Sequence, residues 1–134
     1  LWRTFGDSGV ICSFVPWTFN QQVEMMGHLT GWDYTTAEAL RLGERVVTMH
    51  RAYNLREGLS VADDTLPKRF FKPTPRGGLK DTPLDPENFV QAVETFYELM
   101  GWDTDTGTPT TTKLIDLGIE WVEEELASVR ATAV

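Results

Sequence analysis

The stretch "TTAEALRLGERVVTMHRAYNLREG", residues 35–58, carries one unbroken helical pattern and sets the fold class. Ala39, Leu42, Val46, Met49 and Tyr53 recur at spacings of three and four, and Leu40, Val47 and His50 form a second row beside them. Thr35 or Thr36 can cap the amino end, and Glu38 stands three residues beyond Thr35, the spacing of a capping box. Gly58 supplies the stop. Two adjacent rows predict a helix from Thr35 to about Arg56 that is buried over a wide face between other helices. His50, on the second row, reads as a hydrogen-bonded core residue.

Outward from this helix the pattern stays helical. Asp85 can cap, Pro86 suits the first helical position, Glu87 suits the positive end of the dipole, and Gly101 terminates. Phe89, Val90, Val93, Phe96, Tyr97 and Met100 lie between them on one face, which predicts a helix over Pro86 to Met100, with Phe89, Val93 and Phe96 packed on the long helix. Thr112 to Leu117 reads as a short helix ended by Gly118. Ile119, Val122, Leu126 and Val129 mark a final amphipathic helix, and a weaker pattern covers Asn20 to Leu29. No stretch reads convincingly as a strand. The predicted fold is all-α, a compact irregular bundle of four to six helices with long loops, with residues 1–134 as one domain and 1–19 as an irregular segment.

Between Leu66 and Pro86 lie Pro67, Pro73, Pro75, Pro83 and the pair Gly77-Gly78, which together preclude regular structure. A loop of about 20 residues inside a compact domain is usually functional, disordered or wrapped over a neighbour. Gly-Trp-Asp occurs twice, at residues 31–33 and 101–103, each time between two helical stretches. In each, glycine is read as ending a helix, tryptophan as anchoring the loop in the core and aspartate as starting a turn.

A chain of 134 residues with 41% hydrophobic and 11% aromatic content fits one globular domain. It begins Leu1-Trp2-Arg3, read as part of a longer polypeptide. No window approaches the ~18 apolar residues of a membrane span, one cysteine excludes an internal disulfide framework, and the expected setting is cytoplasmic. The net charge of −8 argues against binding the phosphate backbone of nucleic acid. Glu120, Glu123, Glu124 and Glu125 read as a solvated helix face, and Asp63-Asp64 as a turn or cap balanced by Lys68 and Arg69.

Candidate chemistry centres on "FGDSGVICSF", residues 5–14, which holds Cys12, the one cysteine. A cluster or zinc thiolate works in a set of about four ligands, and the only histidines, His28 and His50, do not complete one. Cys12 is therefore either a small buried hydrophobe or a ligand whose partners lie elsewhere. Residue chemistry alone defines no catalytic triad, phosphate loop or carboxylate pair.

The order of motifs goes further. "DSGVIC", "GER", "RAYNLREG", "DDTLPKRF", a proline-rich loop and then "FYELMGWD" resemble, over nearly the whole chain, the carboxyl-terminal end of the aldehyde ferredoxin oxidoreductase family of tungsten enzymes. The resemblance implies a helical carboxyl-terminal domain of a larger enzyme, which oxidises aldehydes to carboxylic acids with ferredoxin as electron acceptor. It also implies tungsten or molybdenum held by two pterins, with a 4Fe-4S cluster nearby. In that family three cluster cysteines lie upstream and the fourth ends a D-x-x-G-L-C stretch that also touches a pterin. By resemblance Cys12 is that cluster ligand, and Asp7 and Ile11 are pterin contacts. Val10 and Ile11 stand where the family has Gly and Leu, a change that bears on the backbone conformation at position 10. Residues 1–19 would then meet the upstream domains, and catalytic residues would lie outside this chain, leaving it inactive alone. The alternative is a non-catalytic helical interaction module with Cys12 in its core.

Overall fold

The computed structural model describes residues 1–77 and 80–132. Its α-helices are α1 (Trp2–Ser8), α2 (Phe19–Thr30), α3 (Thr36–Arg56), α4 (Pro86–Met100), α5 (Thr111–Asp116), α6 (Val122–Glu125) and α7 (Ala127–Thr132). The described residues form no strand, only an isolated bridge between Trp102 and Pro109. The all-α expectation holds. Among the described residues the α-helices number seven, because α1 forms within the segment read as irregular and the last amphipathic stretch divides at Leu126. Gly78, half of the glycine pair, lies outside the described residues.

The central helix α3 forms as its sequence dictates. Thr35 is the N-cap, accepting from the Glu38 amide, while the Glu38 carboxylate accepts from the Thr35 amide at 2.8 Å. At the other end Gly58 adopts φ 96°, and the Leu59 amide reaches back to the Asn54 carbonyl at 3.0 Å. In α4, Asp85 caps the Asn88 amide and Gly101 closes the helix in the left-handed region.

Three apolar clusters lie along α3. Ala39 joins Phe5 and Val23 near its start, and Val47 packs on Tyr97, Met100 and Trp102 at its middle. Ala52 and Leu55 join Leu114, Leu117, Val122 and Leu126 near its end. The buried face is thus rotated from the expected row. Ala39, Gly43, Thr48, Arg51, Ala52 and Leu55 are buried, Leu42, Val46 and Met49 are half-buried, and Tyr53 is 58% exposed. His50 is exposed rather than a core residue. The reason is that polar Thr48 and Arg51, with the small Gly43, face the helices that pack on α3, a choice hydropathy spacing does not contain. Likewise α4 meets α3 through Tyr97, Met100 and Val93, leaving Phe96 45% exposed.

Gly43 positions the amino-terminal segment. A Cβ there would collide with the Leu1 carbonyl, so glycine in mid-helix, at about 1 kcal/mol against alanine, lets α1 approach α3 closely. A helix as short as α1 is unstable alone. Burial of Phe5 and Gly6 against α3 and α2 supplies what its local sequence lacks.

Candidate functional site

The first candidate site is the turn that ends α1. The Val10 amide donates to the Asp7 carbonyl at 3.1 Å and the Ile11 amide to the Gly6 carbonyl at 2.9 Å, the paired bonds of a Schellman helix stop. The left-handed position of that stop belongs to Val10, at φ 55°, the one non-glycine residue with positive φ among the described residues. A β-branched side chain there is strained by about 1–2 kcal/mol. Gly9, next to it, has φ −83° and does not take over the role. The turn therefore keeps a conformation suited to glycine although valine occupies it.

Beyond the turn, Cys12 is exposed and non-helical, which removes the reading of it as a core residue. Asp7 lies on the last turn of α1, exposed, with its Oδ1 3.1 Å from Arg3 Nε. Ile11 is half-buried. Asp7 and Ile11 share the wall of a cavity of about 400 Å3 with Trp2, Arg3, Trp17 and Gln22, whereas Cys12 is not among its lining residues. Trp2 Nε1 donates to Gln22 Oε1 at 3.1 Å across one side. The cavity thus combines indole surfaces with a carboxylate, a guanidinium and an amide, a set able to hold a flat, hydrogen-bonding heterocycle. Among the described residues, no group of three or more His, Cys, Asp and Glu side chains could hold a metal ion.

A second constellation, at the middle of α3, is not legible from residue chemistry alone. Arg51 is 7% exposed; its Nη1 lies 2.6 Å from Asp64 Oδ2 and its Nε donates to the Gly107 carbonyl at 2.9 Å. Tyr97 donates its hydroxyl to Asp64 and accepts from Arg51 Nη2 at 3.3 Å. The guanidinium carbon lies 5.3 Å from the Tyr97 ring centre and 5.6 Å from that of Trp102. Burial, and then the bond to Asp64, push the Tyr97 hydroxyl up to about 12. A Cβ at Gly107, where φ is 63°, would collide with the guanidinium.

This knot corrects the charge balance expected for Asp63-Asp64. Asp64 pairs with Arg51 rather than with Lys68 or Arg69, and Asp63 accepts from the Ser60 amide to cap a 3-10 turn. The signal that could have found it was an arginine inside an apolar helix pattern, since a buried guanidinium requires a carboxylate partner. Its members Arg51, Asp64, Tyr97 and Trp102 belong to "RAYNLREG", "DDTLPKRF" and "FYELMGWD", three motifs distant in sequence that meet at one place.

Residues 1–119 match the family described as "Aldehyde ferredoxin oxidoreductase, domains 2 & 3", and the chain belongs to that family. It is 36% identical over 117 residues to the tungsten-containing aldehyde ferredoxin oxidoreductase of Pyrococcus furiosus, covering 84% of this chain and 19% of that protein. The corresponding protein of Pyrococcus horikoshii is 33% identical over 118 residues, 85% of this chain and 19% of its own length. An "aliphatic sulfonate oxidoreductase, WOR-like subunit" of Pyrococcus furiosus is 31% identical over 96% of this chain and 22% of its own length. The chain thus spans about a fifth of the length of these relatives. Among the described residues no helix is long and apolar enough to cross a membrane.

Proposed function

We propose that this chain is the helical part of a longer tungsten (or molybdenum) bis-pterin enzyme that oxidises aldehydes to carboxylic acids and passes electrons to ferredoxin. Within it Cys12 supplies one ligand of a 4Fe-4S cluster, and Asp7 and Ile11 form part of a pterin site. The observation that carries the reading is the exposed thiol of Cys12 directly after the fixed Asp7–Ile11 turn, beside the cavity that Asp7 and Ile11 share.

The residues fit those groups in donor chemistry. An exposed thiol is free to bind iron as thiolate, and the other ligands would come from the rest of the parent protein. The metal and its pterins, when bound, supply the two-electron oxidation, and the cluster supplies the one-electron relay. The chain's own residues position. Asp7 would accept hydrogen bonds from a pterin held in the cavity, Trp2 and Trp17 would wall it, and Gly43 keeps α1 docked so that the turn stays in place. The isolated chain lacks the upstream residues needed for catalysis and is inactive.

The test is Cys12→Ser in the full-length parent. Low-temperature spin resonance of the reduced protein should lose the normal cluster signal and ferredoxin-linked aldehyde oxidation should drop sharply, while melting of the helical part stays unchanged, since Cys12 is exposed. A wild-type cluster signal with full ferredoxin reduction would remove Cys12 from the ligand set.

A further inference from the structure

The proline-rich loop opens with a basic stretch in an acidic chain. Lys68, Arg69, Lys72 and Arg76 succeed one another with no carboxylate between them, in a protein of net charge −8. All four are exposed, and among the described residues none is in an ion pair. The first of them sit on a held turn, not on a loose strap. Against the expectation that Leu66 to Pro86 holds no regular structure, Lys68–Phe71 forms a 3-10 helix between Pro67 and Pro73, where no proline interrupts it; the Leu84 amide donates to the Phe70 carbonyl at 2.9 Å, and Phe71 packs edge-on against Phe89 of α4 with ring centres 5.6 Å apart.

Inward anchoring of Phe71 leaves its neighbour outside. Phe70 is 43% exposed under the Arg69 guanidinium, 5.2 Å from its ring centre, and Leu84 beside it is 44% exposed. Phe70 and Leu84 under the Arg69 guanidinium, on a turn whose exposed Lys68 and Lys72 line the neighbouring hollow with Phe71 and Phe89, have the composition of a protein-docking surface. Pro67, Pro73 and Pro75 restrict the backbone and lower the entropy lost on docking. The charge selects the partner. A long polyanion would also meet the acidic remainder of the chain and be repelled, whereas a small acidic protein can touch this face alone.

We propose that the Lys68–Lys72 turn, with Leu84, is the docking surface for a small acidic electron-carrier protein. The assignment of an electron carrier rests on the function proposed above; the position and sign of the surface do not.

The test measures the dissociation constant of a small acidic ferredoxin for the full-length parent by calorimetry at low and high ionic strength. It compares the unsubstituted protein with Lys68→Glu/Arg69→Glu/Lys72→Glu and with Phe70→Ala. The charge-reversed protein should bind ~10-fold or more weakly at low salt and lose most of the salt dependence, and Phe70→Ala should weaken binding with the salt dependence kept. Unchanged affinity and salt slope in the charge-reversed protein overturn the proposal, as does nucleic acid competing equally with ferredoxin for the unsubstituted one. If charge reversal prevents folding, Lys68→Gln/Arg69→Gln/Lys72→Gln gives the same comparison. Aldehyde-dependent reduction of a viologen dye is measured alongside: its absence from the unsubstituted parent overturns the oxidoreductase reading, whatever the calorimetry shows.

Discussion

Two Gly-Trp-Asp tripeptides end helices in this chain, one after α2 and one after α4. Their glycines share the left-handed region, at φ 73° for Gly31 and 67° for Gly101. Their tryptophans are not alike: Trp32 is 63% exposed and Trp102 is 6% exposed. Trp32, expected to anchor its loop in the core, lies at the surface and meets the ring of Tyr34 edge-on, with ring centres 5.6 Å apart. Trp102 lies against Phe96, Tyr97 and the Arg51 guanidinium.

The difference comes from the path of the chain after each tripeptide. After Asp33 the chain enters the Thr35 cap almost at once, and among the described residues the Asp33 side chain makes no hydrogen bond. After Asp103 it folds back. The Asp103 carboxylate accepts from the amides of Asp105 and Thr106, its own amide donates to the Thr108 carbonyl, and the Thr110 amide donates to the Gly101 carbonyl. That closed loop delivers Gly107 to Arg51 and closes over Trp102. One tripeptide thus specifies a helix stop, and only the return of the chain turns a stop into a core.

Truncating the tryptophans breaks the comparison most sharply. Trp102→Ala should cost about 3–5 kcal/mol, the range for an aromatic lost from a core, while Trp32→Ala should stay within about 1 kcal/mol. Urea unfolding of both variants measures this, and similar losses would refute the assignment of Trp102 to a core and Trp32 to the surface.

Alkaline pH probes the buried member alone, with a smaller effect. The Tyr97 hydroxyl titrates near 12 when folded against about 10 when unfolded, so the folded state holds its proton more tightly. That contribution is complete below pH 10, falls as pH rises to 12, and amounts to about 3 kcal/mol. Tyr97→Phe should remove this part of the pH dependence, read from unfolding midpoints at pH 9 and above in buffers of about equal ionic strength. An identical alkaline profile in the variant would show that Tyr97 is not the titrating group.

The smallest effect reverses sign at a third helix stop. Gly31→Ala should destabilise by about 1 kcal/mol through left-handed strain, with open space around the new methyl. Val10→Gly should stabilise by about 0.5–1 kcal/mol, the relief of strain exceeding the flexibility gained by the unfolded chain. A thermal melt that falls in Val10→Gly would mean that the valine side chain stabilises the turn, although it is 91% exposed.

The sequence alone determined the helices that carry their own ends. The α3 and α4 boundaries came from Thr35, Glu38, Gly58, Asp85, Pro86 and Gly101, because a cap is satisfied within about four residues and needs no distant partner. The motif order in turn carried the family. Resemblance alone singled out Asp7, Ile11 and Cys12 as a candidate site; the cavity that Asp7 and Ile11 line was not legible, because its walls Trp2 and Gln22 are brought together only when α1 lies against α2. Tertiary structure likewise decided that α1 is a helix, that Trp102 rather than Trp32 is buried, and that Arg51 belongs to Asp64. The Arg51 bonds span 56 residues to Gly107 and 46 to Tyr97. Hydropathy spacing registers which side chains share a face, and it carries no information about which distant group will desolvate a face or neutralise a charge on it.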